Sequence, residues 1–351
     1  MAMKRFFLLE KKLDKNKDLN AAYIDFMEEH VKLKHMEVVK EPYVTDVPTY
    51  YMPHHCVHNI HSSTTKYRVV FDASVKTTSG LSLNDALMTG PVIQQDLVSI
   101  ILRFRSYKYV ITADITKMYR QIKISEEDKS LHRIFWRKSP NQPLIEYQLN
   151  TVTYGTAPAS FLATRCLQQA AREQEDKYAS AVRSILQDFY MDDYLTGCND
   201  FENLKLIQEE VIKILEGAQF SLHQWCANEL ALLDKIPTTK TETKFIPNEE
   251  DISIKTLGIW WNPEQDYFTF SIFLPPEQKP TKRSILSDTA KVFDPLGLVG
   301  PVIVKFKMFL QVLWSLKTEW DEALSTSQLM EWTSFRKDLK FLETLHIPRP
   351  V

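Results

Sequence analysis

The 351-residue chain is long enough for two ordinary domains, and its 44% hydrophobic, 25% charged and 11% aromatic content is that of a globular protein with a sizeable core. Its 8 glycines include no Gly-x-Gly pair, so neither a dinucleotide fingerprint nor a Walker phosphate loop can be built, and any phosphate must be held by side chains or metal. A formal net charge of −2 neither demands nor excludes a nucleic-acid partner.

Residues 1–40 carry helical periodicity through Leu19, Ala22, Tyr23, Phe26 and His30, which predicts a helical lead-in. The apolar stretch at the amino terminus is too short, and too soon followed by lysines, for a signal peptide. Pro42, Pro48 and Pro53 then predict an extended connection. His54, His55, Cys56, His58 and His61 are zinc-type ligands, but no second cluster completes a familiar four-ligand spacing, so zinc is not expected. Residues 67–73 read as a strand and 92–104 as a helix.

The β-branched and aromatic run 109–114 predicts a strand. A helix is expected over 159–177, after the turn at 155–158. Residues 184–190 and 194–196 read as two strands of a hairpin with Asp192 and Asp193 near the junction. A helix over 202–216 stops at Gly217, strands follow at 220–225 and 256–261, and Asn262-Pro263 makes a turn. Beyond Pro275-Pro276 the pattern is helical from Thr281 onward. The longest uncharged apolar run, 295–304, is far below the roughly 20 residues that span a bilayer, so no membrane is expected. The four cysteines (Cys56, Cys166, Cys198, Cys226) are widely spaced and read as reduced thiols of an intracellular, cytoplasmic protein. Hairpins mixed with helices imply an α+β core followed by a helical region.

Asp114 closes an apolar strand, and Asp192-Asp193 sits at a turn where two adjacent charges repel unless solvated or neutralised by cations. An isolated Asp-Asp turn is ordinarily just solvated; a strand running into it would hold the pair rigidly. Residues 101–140 add ten Lys and Arg against four Asp and Glu. Charge alone favours a solvated helix face there, although the patch suits a phosphate backbone.

Tyr190-Met191-Asp192-Asp193 resembles the signature hairpin of reverse transcriptases, and Asp114 through Ile122 resembles their first catalytic motif. YYMPHH (50–55), YRVVFDAS (67–74), LSLNDAL (81–87), TADITKMYRQI (112–122), NTVTYGTA (150–157) and FLATRCL (161–167) are together similar to the Pol polyprotein of BEL/Pao retrotransposons. The likeness extends through 281–302. It implies a right-hand polymerase fold: a helical lead-in and connection over 1–48, fingers and palm over 49–230, a primer-grip hairpin over 231–275, and a helical thumb or connection over 276–351. The function implied is RNA-directed DNA synthesis from dNTPs on a primed RNA or DNA template. The alternative is an inactive relic, or a host-adopted copy that binds nucleic acid or a partner. A phosphohydrolase using the same aspartates is not supported by the motif order.

By this resemblance, Asp114, Asp192 and Asp193 are catalytic. They hold two Mg²⁺ ions, or Mn²⁺ in their place, with the Ile115 carbonyl as a further ligand. Hard cations want oxygen ligands, which explains carboxylates rather than His or Cys. Lys66 and Arg68 resemble residues that grip the triphosphate, Tyr119 one that packs on the incoming sugar, and Gly155 one that lets backbone approach the nascent base pair. Gly258, Trp260 and Trp261 match the primer grip, where the tryptophans either stack on nucleic acid if exposed or, equally, pack under the thumb. Lys282, Arg283, Lys291, Lys305 and Lys307 suit a thumb tracking duplex phosphates. One departure stands out: Pro158 comes early, and Ser160 occupies the place before Phe161 where the family carries proline. No Asp-Ser-Gly or Asp-Thr-Gly occurs, so the protease is expected to be absent, as are RNase H and integrase.

Overall fold

Asn16 starts the second helix: its side-chain oxygen accepts the Leu19 N–H at 3.0 Å, capping the Lys17–Lys32 helix behind the Ala2–Asp14 helix. Each buries one stripe at three- and four-residue spacing, Phe6, Leu9 and Leu13 on the first and Leu19, Tyr23, Met27 and His30 on the second. The computed structural model describes residues 1–40, 48–58, 66–241, 253–272, 274 and 279–351. Pro42, His61 and Pro275-Pro276 lie outside the described residues.

The chain divides into two compact units. The first comprises residues 1–94, 116–176 and 214–220, and the second 95–115, 177–213 and 221–351. Each unit is assembled from discontinuous pieces, so neither follows a single stretch of sequence.

In the first unit Met36–Val38 pairs with Ile145–Leu149, which pairs with Arg133–Trp136, all antiparallel. A separate hairpin joins His54–His58 to Tyr67–Phe71. The two amino-terminal helices close over these strands, and Tyr23, Met27, Met36, Met52, Phe71 and Trp136 share one core. The Ala159–Arg172 helix completes the unit and ends earlier than the predicted 159–177.

In the second unit an antiparallel sheet runs in the order Phe189–Tyr190, Asp193–Cys198, Tyr109–Ile115, Leu222–Ala227. A second sheet contains Ile254–Thr256, Ile259–Asn262, Tyr267–Thr269 and Ile347–Pro348. The helices Lys282–Thr289, Gly300–Ser315 and Thr326–Asp338 enclose their own core around Phe306, Leu313 and Trp332. Arg349 is fully buried and ties the chain end into this unit. Its guanidinium forks onto both oxygens of Asp266 at 2.6 Å and donates to the Phe104 and Tyr107 carbonyls.

Four sequence expectations need correction. The predicted strand 184–190 is the Ala179–Asp188 helix followed by a two-residue strand, because Ala181, Val182, Ser184, Ile185 and Asp188 bury one helical face. The helix expected from 92 begins at Leu97, where Asp96 caps the Ser99 N–H at 2.9 Å. The strand expected over 256–261 is broken by a turn at Leu257-Gly258, both with positive φ (48° and 83°), which suits a tight hairpin. Gly217 stays helical as the last residue of Phe201–Gly217, and the left-handed residue that ends the helix is Gln219 (φ 64°). Among the described residues, no helix is long and apolar enough to cross a membrane.

Candidate active site

The sheet of the second unit explains how distant carboxylates meet. Tyr109–Ile115 is its inner strand, with Val110, Ile111, Ala113 and Ile115 buried, so the strand is held from both faces and Asp114 emerges at its end half-buried. On one side the register places Asp114 opposite Asp193, and the Ile115 N–H donates to the Asp192 carbonyl at 2.9 Å. Directly opposed residues of an antiparallel pair share a face, with Cβ atoms typically about 4.5–5.5 Å apart. The backbone therefore brings Asp114, Asp192 and Asp193 to one end of the sheet. Asp193 is the residue facing Asp114 across the ladder, whereas Asp192 belongs to the turn after Met191, whose φ is 57°.

On the other side of Asp114 stands His223, after a bulge between Thr112 and Asp114 that re-aims the strand end. Burial, and next Lys240, pushes the His223 pKa down. Its Nε2 lies 3.1 Å from the Ser221 hydroxyl.

A polar network supports the hairpin from beneath. Asp188, at the end of the Ala179–Asp188 helix, meets Arg103 Nε at 3.1 Å, Ser184 Oγ at 2.9 Å and Thr196 Oγ1 at 2.7 Å. Ser184 also meets the Tyr194 hydroxyl at 2.7 Å. Burial raises the Asp188 pKa, and the hydrogen bonds from Thr196, Arg103 and Ser184 oppose it. Sequence reading missed both Asp188 and His223. The helical spacing of Ser184 and Asp188 was a usable signal for the first; a lone histidine in a strand offered none for the second.

Carboxylates fit Mg²⁺ by donor chemistry. Among the described residues no group of three or more His, Cys, Asp or Glu side chains is gathered as a metal site.

In the first unit Tyr119 occupies a single 3₁₀ turn, Met118–Gln121, with its hydroxyl 3.4 Å from Ser160 Oγ. Ser160, the departure from the family pattern, thus meets the tyrosine directly. Gly155 (φ 97°) is required by the protein itself: a Cβ there would lie 2.2 Å from the Phe71 carbonyl oxygen. Asn84 bridges this turn, donating to the Gly155 carbonyl and accepting the Ala157 N–H. Lys66 and Arg68 are exposed, Arg68 on the Tyr67–Phe71 strand opposite Val57.

His54 of the histidine-rich stretch is engaged within the protein. Its Nδ1 meets the Tyr23 hydroxyl and its Nε2 the Phe135 carbonyl at 2.9 Å, so both ring nitrogens are used. His55 points to the opposite side of the strand, and His58 stacks on Tyr67.

Among the primer-grip residues, the two tryptophans divide between the two readings left open, and interior packing holds for Trp261. Trp261 is fully buried against Phe104, with its indole N–H on Asp266 at 3.0 Å. Trp260 is half-buried, with the Lys255 ammonium 5.8 Å from its ring. A Cβ on Gly258 would strike the Phe293 ring, so that glycine also answers to local packing.

A comparison with known families gives the class of this chain. The profile of reverse transcriptase (RNA-dependent DNA polymerase) matches residues 16–225, well over half the chain. The chain belongs to that family and is an RNA-directed DNA polymerase, a nucleotidyltransferase whose substrates are a primed template and dNTPs. A second profile, Pao retrotransposon-like RNaseH-like domain, matches residues 281–351, so the chain is the reverse transcriptase region of a Pao/BEL-type retrotransposon. The second match also revises the expectation that nothing of RNase H character is present, because it falls on the three-helix segment and Arg349. No curated protein matches the chain.

Proposed function

We propose that nucleotide addition occurs at the end of the sheet carrying Asp114, Asp192 and Asp193, by the two-metal route, as part of retrotransposon replication. The observation that carries this reading is the register Asp114↔Asp193 together with the Ile115–Asp192 backbone bond. The three carboxylates and the Ile115 carbonyl are the groups that would hold Mg²⁺, with Mn²⁺ as a substitute. When bound, the two ions supply charge neutralisation for the attacking and leaving oxygens of the in-line displacement. The protein's own contribution is placement. A buried inner strand and a hairpin braced by Asp188 keep like charges together at fixed positions.

In the same proposal the first unit is the fingers, the acidic sheet the palm, the 254–269 hairpins the primer grip, and the helices from Lys282 a thumb or connection. Lys66 and Arg68 contact the triphosphate, Arg68 by its bidentate fork and Lys66 as a point charge. Tyr119 packs on the sugar and discriminates against a 2′-hydroxyl. Gly155 lies at the nascent base pair, and Gly258 and Trp260 support the primer end.

Primer extension on an RNA template, with Mg²⁺ and separately with Mn²⁺, tests the reading. Asp114→Asn and Asp192→Asn should each lose activity by on the order of 10³-fold or more while keeping the native melting temperature. Full activity in either variant would reject the assignment. A folded wild-type chain silent under both metals would instead favour the inactive-relic reading.

A further inference from the structure

One carboxylate of the lead-in helix holds both flanks of Tyr119. Glu29, on the Lys17–Lys32 helix, meets the Lys117 ammonium with Oε1 and takes both terminal nitrogens of Arg120 on Oε2, at 3.2 and 3.3 Å. Arg120 is buried, its Nε donates to His35 Nδ1 at 2.9 Å, and its guanidinium lies 6.0 Å from the Phe26 ring centroid. Lys117 is left-handed (φ 55°) and opens the Met118–Gln121 turn, whose Met118 is buried. The turn carrying Tyr119 is therefore fastened at the residues two before and one after it, and on the far side the tyrosine hydroxyl meets Ser160.

We propose that Glu29 is a positioning residue for nucleotide choice: through Lys117 and Arg120 it sets where the Tyr119 ring stands, and so how strongly ribonucleotides are rejected. This rests on the reading that Tyr119 packs on the incoming sugar. A gate works by distance. A ring free to retreat by a fraction of an ångström admits one extra hydroxyl, and a buried arginine that has lost its carboxylate has reason to move. Glu29 acts without touching the nucleotide. Burial of its carboxyl is outweighed by Lys117 and Arg120, which hold its pKa below the usual value.

Single-nucleotide incorporation of a dNTP and the matching rNTP, on one primed template with the full chain, is the test. Tyr119→Ala serves as the reference, and circular dichroism melting accompanies every variant. Glu29→Gln keeps the shape and removes the charge. It should lower the dNTP-to-rNTP ratio of kcat/KM about three- to tenfold, with dNTP turnover much less affected. Lys117→Met, which opens only the exposed half of the clamp, should give a smaller change in the same direction. Glu29→Gln combined with Tyr119→Ala should discriminate no worse than Tyr119→Ala alone, because the clamp has then lost the ring it positions. If Tyr119→Ala lowers the ratio while Glu29→Gln and Lys117→Met leave it unchanged, the clamp is wrong and the Tyr119 reading survives. If Tyr119→Ala leaves the ratio unchanged, the Tyr119 reading falls and the clamp falls with it.

Discussion

Both units bury ion pairs, Glu29 with Arg120 among those of the first, but they differ in what else they bury. The first also encloses neutral histidines in an aromatic core: His30, His54 and His132 are buried, and burial pushes each pKa down to about 4. The second relies on charge answered by charge, Asp188 with Arg103 and Asp266 with Arg349. The difference teaches where each unit is brittle. A buried neutral imidazole is comfortable until a proton arrives, whereas a buried ion pair is comfortable until one partner is removed.

The comparison is sharpened most by acid. For the three buried histidines, and for His35, whose pKa is also about 4, the folded value lies below the unfolded value near 6.5. The unfolded chain thus binds their protons more tightly. Stability from these groups is full above about pH 6.5, falls as pH drops through the window, and is fully lost below about pH 4. Each buried histidine contributes up to about 1.4 kcal/mol per pH unit there. Asp188 has the opposite direction: its folded pKa is raised, so acid adds nothing to unfolding through it. Hydrogen exchange followed segment by segment from pH 7 to 4.5 should show residues 1–94 and 116–176 losing protection before the Tyr109–Ile115 sheet. Simultaneous loss would break the comparison.

Next in size is Arg349→Met, which leaves Asp266 without its guanidinium. Thermal or urea unfolding should show a loss of about 3–5 kcal/mol, the cost of breaking a buried pair from one side. A change below about 1 kcal/mol would mean that the chain end contributes little to the second unit.

Gly155→Ala probes the first unit's backbone. A side chain at φ 97° that also meets the Phe71 carbonyl should cost about 1–3 kcal/mol, whereas Gly297→Ala (φ 72°, open space) should cost about 1 kcal/mol or less. Equal melting shifts for the two would remove the steric explanation.

The smallest effect is expected at Trp260. Replacing it by Ala should change stability by about 1 kcal/mol and raise the concentration of primed template needed for half-maximal extension a few-fold. Unchanged primer use would reduce Trp260 to a packing residue like Trp261.

Much of the candidate site was legible because its signals are local. The run 109–114 is β-branched and aromatic enough to name its strand, and Asp192-Asp193 followed by Tyr194–Thr196 marks a hairpin. The strand expected at 184–190 misread a mixed run whose Ser184, Ile185 and Asp188 alternate poorly but share a helix face. For Trp260 and Trp261 the sequence left exposure and packing equally open; neighbouring strand residues point to opposite faces, and only packing against Phe104 decided which one went inside.

Sequence alone determined the order of the motifs, the residue types able to hold a hard cation, the glycine poverty that excludes a phosphate cradle, and the location of most strands. These depend on composition and on neighbours a few residues apart. Only the tertiary structure decided that Asp193 faces Asp114, that Asp188 braces the hairpin, that His54 spends both nitrogens internally, and that Glu29 reaches Lys117 and Arg120. Those pairings join residues far apart in the chain, and their register is set by which faces the core can bury, a quantity no local pattern encodes.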